Sequence, residues 1–202
     1  MRGILACTLE TWRPVIGDPG WQGWTTVAVY AATALLALAL ARAAPFPRAS
    51  RGRERAFWGL VAVLMAALAV NKQLDLQSAL TAAGRCTALA QGWYEGRRPV
   101  QAAFLIAIAG LGLVLLAVLL AVLRGTWARS ALPVAGLVFV TGFVMMRAVG
   151  FHGFDAMLGL PVPGTVPGTV LGLRANTLLE WTGPVLIAAT ALVLLRRRRG
   201  GP

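Results

Sequence analysis

Charged residues are scarce in this chain of 202 residues: Asp, Glu, Lys and Arg make up 13% of it, and the mean hydropathy is +0.72. Soluble domains carry about 25% charged residues, so the composition excludes an ordinary water-soluble globule and a disordered or fibrous chain. Hydrophobic residues account for 58% of the sequence, and they fall in long runs rather than in stripes of alternating polarity. A membrane protein is the class that fits these numbers.

Histidine and cysteine are nearly absent, and both shortages limit the chemistry. His152 is the only histidine, which excludes membrane hydrolases that hold a metal with three histidines, such as the alkaline-ceramidase type. A metal site of His152 with carboxylates would be weak, and a haem would lack a second ligand, so we expect no metal and identify no cofactor. The two cysteines, Cys7 and Cys86, either form a disulfide or are two unrelated small residues; the sequence does not decide, and we favour the second alternative.

Five apolar runs are long enough to cross a membrane, which takes roughly 20 residues. They cover about residues 24–44, 56–74, 100–123, 132–149 and 177–195. The sequence therefore predicts an all-α fold with one transmembrane domain over residues 1–202, an integral membrane bundle of five helices. Residues 75–98 predict an extracytoplasmic interfacial helix. Tryptophan side chains prefer the headgroup layer, and six of the seven lie at predicted span ends: Trp21, Trp24, Trp58, Trp93, Trp127 and Trp181.

The distribution of basic residues predicts the orientation. The loops after the first and third spans and the tail at 196–202 hold 11 of the 19 basic residues, and alternation of the spans places all three regions on one side. By the positive-inside rule this side is the cytoplasm, so the N-terminus is extracytoplasmic and the C-terminus cytoplasmic. The net charge of +12 then reflects topology and attraction to anionic lipid, and without aromatic interleaving it does not indicate a nucleic-acid partner.

Polar residues gather at the predicted outer ends of the second, fourth and fifth spans. Asn71 and Asp75 are four residues apart, as are Asn176 and Glu180, so each pair shares a helix face. A charge inside the hydrocarbon costs roughly 2.5–3.5 kcal/mol on insertion scales, so these groups should pair or line a water-filled cavity. The predicted ligand-binding residues of this outward-facing site are Asn71, Lys72, Asp75, Gln77, Arg97, Arg98, Arg147, His152, Asp155, Asn176 and Glu180.

Two functions of different classes fit such a site. Guanidinium groups bind phosphate and carboxylate bidentately, which favours a binding or accessory protein that engages an anionic lipid headgroup or a partner subunit. The alternative is a membrane enzyme that acts on a lipid-linked substrate by general acid–base chemistry, with His152, Asp155 and Glu180 as catalytic candidates. A third interpretation is an ion-pair network that only fixes helix packing. The basic residues expected to converge on this site are Lys72, Arg85, Arg97, Arg98, Arg147 and Arg174.

Several short strings together resemble a family of bacterial polytopic inner-membrane proteins whose activity is uncharacterised. The most specific string is Asn71-Lys72-Gln73-Leu74-Asp75-Leu76-Gln77. The others are Gly92-Trp93-Tyr94 with Arg97-Arg98, Arg147-Ala148 with Phe151-His152 and Asp155, and Asn176 with Glu180. The resemblance covers about Ala56–Glu180. It implies a location in the bacterial inner membrane and brings no activity with it.

Overall fold

The computed structural model describes residues 3–148, 169–170 and 173–199, and of residues 146–148, 169–170, 173–176 and 198–199 it describes the backbone alone. In this part of the chain almost all regular structure is helical, which confirms the predicted all-α class. One antiparallel ladder of two residues per strand joins β1 (Thr169–Val170) to β2 (Leu173–Arg174). The helices are α1 (Ile4–Thr11), α2 (Trp21–Ala43), α3 (Arg51–Leu74), α4 (Leu76–Ala90), α5 (Arg97–Val122), α6 (Trp127–Ala148) and α7 (Ala175–Arg199).

Five of these helices are long and apolar enough to cross a membrane, which confirms the five predicted spans. They are α2, α3, α5, α6 and α7, and most begin a few residues before the apolar run does. The reason is that the helices continue into the flanking Arg and Trp residues, whose side chains reach the headgroup layer. The chain is thus a multi-pass membrane protein. The helix α4 lies within the segment predicted to be interfacial, whereas α1 was not predicted.

The chain divides into two compact units, each described here by itself. Unit 1 consists of residues 1–17 and 73–122, and unit 2 consists of residues 18–72 and 123–202. Unit 1 therefore holds α1, α4 and the apolar α5, whereas unit 2 holds the other four spans, of which α3 ends two residues into unit 1. The prediction of one domain over the whole chain stays a prediction.

In unit 1 a disulfide joins α1 to α4. Cys7 and Cys86 are 79 residues apart in sequence, and their Cα atoms lie 5.9 Å from each other, a separation that a disulfide requires. The favoured interpretation of these residues as unrelated was therefore wrong. Their spacing along the sequence could not show that two separate helices would pack together. The bridge fixes α1, which has only eight residues, against a longer partner.

The N-terminal segment also satisfies the carbonyl groups at the end of α3. The backbone N–H of Gly17 donates to the carbonyl oxygen of Gln73 at 2.7 Å, and the indole Nε1 of Trp12 donates to that of Leu74 at 3.0 Å. The last carbonyls of a helix have no partner inside it, so such contacts stabilise the helix end. The next residue, Asp75, has φ +46°, a left-handed conformation that separates α3 from α4.

Apolar side chains remain uncovered on the α1–α4 pair. The helix α4 buries Ala82, Cys86 and Ala88, and its larger apolar residues lie on the surface. An uncovered apolar face is what an interfacial helix presents to lipid. The exposed apolar side chains of the pair are Ile4, Leu5, Leu9, Leu76, Leu80 and Leu89.

In unit 2, α7 packs against both α2 and α6. Two glycines allow the contact with α6: a Cβ atom on Gly136 would lie 2.8 Å from the carbonyl oxygen of Gly183, and one on Gly183 would lie 2.6 Å from that of Gly136. Neither distance is sterically possible without movement of backbone. Small residues at such a crossing let helices in a membrane approach closely enough for extensive van der Waals contact.

The buried face of α3 includes a tryptophan that the sequence placed at the headgroup level. Trp58 is only 1% exposed and packs edge-to-face on Phe57, with ring centroids 5.5 Å apart. It lies on the same helix face as Val61 and Met65, which are fully buried. Trp58 therefore faces other parts of the protein rather than lipid, because position along a span does not tell which face of the helix a residue occupies; its place at the headgroup level stays a prediction.

The glycine crossing gives a test of packing in unit 2. We expect Gly183→Ala to destabilise the protein by about 1–3 kcal/mol, since the added methyl group meets a backbone oxygen that cannot move alone. The matched control is Gly142→Ala in α6, whose Cβ would meet nothing within 4 Å and which should be neutral or slightly stabilising. Thermal unfolding of the detergent-solubilised variants measures both, and equal melting temperatures would contradict the close crossing.

Candidate functional site

The single lysine of the chain, Lys72, lies near the end of α3 between two carboxylates of unit 2. Its Nζ donates to Oε2 of Glu180 at 3.0 Å and lies 3.4 Å from Oδ2 of Asp18. The side chains of Lys72 and Glu180 are 14% and 8% exposed, and that of Asp18 is 44% exposed. The expectation that charged groups of this side would pair is met by Lys72 and Glu180, and Asp18 is an additional partner.

Three helices bring these groups together at one end of unit 2, which we call the lysine end. Asp18 lies three residues before α2, and its carbonyl oxygen and its carboxylate both lie where a side chain on Gly23 would have to be. Its carboxylate is thus held beside the positive end of the α2 dipole. Trp181, next to Glu180, donates from Nε1 to Oγ1 of the buried Thr26 at 2.9 Å, so α7 is also fastened to α2.

The charge balance at the lysine end opposes anion binding there. One ammonium group faces two carboxylates, so the three side chains carry a net charge of −1, and Lys72 already has its counterions. An incoming anion would have to displace a partly buried ion pair. These contacts therefore fit the interpretation of Lys72 and Glu180 as a network that fixes helix packing.

A second ion pair lies at the opposite ends of α3 and α7, where the arginines concentrate. The carboxylate of Glu54, 2% exposed, accepts from Arg129 twice, from Nη2 at 2.7 Å and from Nε at 3.0 Å. This bidentate pair joins the start of α3 to the start of α6. Sequence reasoning did not single it out, although Glu54 is the one acidic residue in the basic loops. We call this region the arginine end: Arg42, Arg48, Arg51, Arg53, Arg55, Arg124, Arg129, Arg196 and Arg197.

In unit 1 two arginines share one aromatic ring. The guanidinium carbons of Arg85 and Arg97 lie 5.7 Å and 4.3 Å from the centre of the Tyr94 ring. Arg97 also donates from Nη1 to the carbonyl oxygen of Tyr94 at 3.1 Å. We call these three residues the arginine–tyrosine cluster. Both arginines were among the basic residues expected from the sequence to converge on this side, but Tyr94 was not among the predicted site residues. The position of Tyr94, next to Trp93 and three residues before Arg97, could have indicated it.

The turn between α4 and α5 forms this cluster. Gly92, with φ +76°, follows α4 in the left-handed region that glycine adopts without strain. The indole of Trp93 donates to Oε1 of Gln91 at 2.6 Å, which fixes the ring beside the turn. The helix α5 then begins at Arg97, one turn after the tyrosine. Arg98 is exposed at the second position of the same helix.

The other predicted site residues are divided between the units or fall outside the described part of the chain. Asn71 belongs to unit 2, whereas Asp75 and Gln77 belong to unit 1. Asp75 is exposed and accepts through Oδ2 from the hydroxyl of Ser78 at 2.6 Å. His152 and Asp155 lie outside the described residues, and so do the side chains of Arg147, Arg174 and Asn176. A common site for all of them stays a prediction.

No known protein family, no curated protein and no solved structure matches the chain. Within the described ranges, no three side chains of His, Cys, Asp or Glu are grouped so that they could hold a metal ion. The functional interpretation of this protein therefore depends on the geometry of the lysine end, the arginine end and the arginine–tyrosine cluster.

The lysine end predicts a clear order of stabilities. Lys72→Met should cost about 3–5 kcal/mol, because it leaves the buried carboxylate of Glu180 without its ammonium partner. The double variant Lys72→Met/Glu180→Leu should recover most of that loss, since the carboxylate that remains, that of Asp18, is exposed to solvent. Asp18→Asn, at an exposed partner, should cost less than about 1 kcal/mol.

Thermal unfolding in one detergent compares these three variants. Equal losses for Lys72→Met and the double variant would contradict the stranded-charge explanation.

Proposed function

We propose that the protein is a lipid-binding accessory protein of the bacterial inner membrane, whose arginine–tyrosine cluster binds the phosphate of an anionic phospholipid headgroup. The observation that carries this proposal is the pair of guanidinium groups, from Arg85 and Arg97, held on the single ring of Tyr94. Guanidinium groups present fixed forks of N–H donors that match the oxygens of a phosphate.

The geometry of the cluster suits a bridging anion. Both guanidinium carbons lie within 6 Å of one ring centre, so they are no more than about 10 Å apart. Two like charges at that range repel each other, and the negative face of the ring offsets only part of the repulsion. A phosphate between Arg85 and Arg97 would offset the rest. With Arg98 included, three cations stand against the single exposed carboxylate of Glu95 in this turn.

The position of the cluster along the chain favours a lipid as the source of the phosphate. Arg97 is the first residue of α5, a span with a mean hydropathy of 3.0 over its most apolar part. Trp93 and Tyr94, just before it, are residue types that prefer the headgroup layer. The uncovered apolar side chains of α1 and α4 belong to the same unit and would lie in that layer too.

The enzyme alternative has less support from the described residues. Of its three catalytic candidates, Glu180 is bound to Lys72 at the lysine end, where it fastens α7 to α3. The other two, His152 and Asp155, lie outside the described residues. The cluster could instead contact a partner subunit, and the binding experiment below distinguishes a bound subunit from a bound lipid.

We infer further that α1 and α4 of unit 1 lie on the extracytoplasmic side and that the C-terminus is cytoplasmic. The disulfide between Cys7 and Cys86 supports this orientation, because disulfides persist outside the reducing cytoplasm. The excess of arginines at the arginine end supports it independently, through the positive-inside rule.

The lipid proposal predicts a loss of bound anionic phospholipid. For Arg85→Gln/Arg97→Gln we expect at least about tenfold weaker retention of phosphatidylglycerol than in the parent, because two charge-assisted contacts at about 1.5–3 kcal/mol each are removed. The matched control is Arg13→Gln, an exposed arginine of the same unit outside the cluster. Native mass spectrometry of protein released from nanodiscs counts the retained lipids.

Unchanged retention in the double variant would contradict the proposal. A stoichiometric protein that leaves with the double substitution, while the lipids stay, would make the cluster a subunit interface instead.

The orientation predicts which reagents reach the cysteines. In Cys86→Ser, the freed thiol of Cys7, which is only half-buried, should react with a membrane-impermeant maleimide in intact spheroplasts, since α1 would face the outside. The control is Ala128→Cys in a chain without Cys7 and Cys86, which places a thiol at the exposed start of α6 and should react only after lysis. The reverse labelling pattern would contradict the orientation.

A further inference from the structure

The arginine end holds a second arrangement of arginines, independent of the cluster in unit 1. The basic loops and tail that form this end contain one acidic residue, Glu54, and both of its oxygens accept from Arg129 inside the bundle. Their side chains are 2% and 30% exposed. The one acidic side chain in the sequence of these segments is therefore bound by an arginine of its own, and the other charged side chains of these segments are arginines.

Two of the surface arginines come from distant parts of the chain and meet at one turn. Nη1 of Arg53, in the first turn of α3, donates to the carbonyl oxygen of Arg124 at 3.4 Å, across 71 residues of sequence. Arg124 lies in the turn before α6, and the side chains of both arginines are exposed. The backbone of this turn thus accepts a hydrogen bond from the guanidinium group of Arg53, and the turn itself carries the guanidinium group of Arg124.

The structure beneath this turn is fixed by buried contacts. Leu123 is fully buried, and Gly125 turns the chain with φ +80°. The buried hydroxyl of Thr126 donates to the carbonyl oxygen of Leu123 at 2.7 Å, and the hydroxyl of Ser130 donates to the carbonyl oxygen of Thr126 at 2.9 Å. The Glu54–Arg129 pair holds the start of α3 against this framework. An anion that bound here would not have to order the backbone first, which lowers the cost of binding.

We propose that Arg53 and Arg124 form a binding site for the phosphate of an anionic phospholipid in the leaflet at the arginine end. Orientation of the spans alone requires positive charge on this side but no particular pair of arginines. Arg53 donates to the backbone of a turn that itself carries Arg124, and guanidinium groups held at one fixed turn suit the bidentate binding of a phosphate. The exposed Trp127, at the start of α6, places the turn at the depth of the headgroups.

A lipid photocrosslinking experiment tests this site separately from the cluster in unit 1. The full chain is reconstituted in phosphatidylcholine nanodiscs that contain a small share of phosphatidylglycerol with a photoreactive headgroup, and crosslinked peptides are mapped by mass spectrometry. We expect crosslinks in peptides that contain residues 50–56 and 123–130. Arg53→Gln/Arg124→Gln should reduce their yield about tenfold and leave crosslinks near Arg85 and Arg97 unchanged.

The matched control is Arg42→Gln/Arg48→Gln, which removes the same charge from two exposed arginines of the same end. If the site is at the turn, this control should reduce the yield less than about threefold. Equal losses in the two double variants would overturn the proposal, since diffuse attraction to the surface would then explain binding. Crosslinks of the same peptides to copurified RNA rather than to lipid would also overturn it.

A charge-conserving variant guards against altered membrane insertion. Arg53→Lys/Arg124→Lys keeps the positive charge that orients the spans but loses the bidentate fork. Combined with Cys86→Ser, it should insert normally, as judged by maleimide labelling of the freed Cys7 thiol, and by itself it should still show a reduced crosslinking yield. A yield equal to that of the parent would contradict bidentate recognition by these two arginines.

Discussion

The structure of unit 2 depends on a constraint of the membrane: an ionised side chain inside an apolar bundle must find its counterion within the bundle. Glu54 meets this requirement with Arg129, and Glu180 meets it with Lys72. Each pair joins helices that are distant in sequence, the first α3 to α6 and the second α3 to α7. Because α3 contributes to both pairs, its two ends are fixed in register with the helices beside it.

The apolar contacts of unit 2 fit between these polar ends. The helix α7 lies within backbone distance of α6 at Gly136 and Gly183, and the hydroxyl of Thr33 in α2 donates to the carbonyl oxygen of Pro184 at 3.3 Å. Close backbone approach and hydrogen bonds between helices are the interactions that associate helices in lipid, where apolar surface alone gives no driving force. The ion pairs select which helices meet, and the glycines and hydroxyls determine how closely they pack.

The arginines of the protein fall into two groups with different roles. Arg129 forms an ion pair with the buried carboxylate of Glu54 and so stabilises the contact between α3 and α6. Arg85 and Arg97 in unit 1 instead contact an aromatic ring, and Arg53 in unit 2 donates to a carbonyl oxygen. Such contacts position a guanidinium group without neutralising its charge. This is the physical basis on which we propose two phosphate sites, one in each unit.

The sequence by itself determined the membrane class, the all-α fold and the five spans, because hydrocarbon thickness and helical rise fix the length of each apolar run. It also placed Lys72 and Glu180 among the polar residues of one side. Only the tertiary structure decided that Asp18 joins them, that Trp58 is buried, that Glu54 binds Arg129, and that Cys7 meets Cys86. These outcomes depend on which helix faces pack together, and hydropathy along the chain carries no information about contacts between residues far apart in sequence.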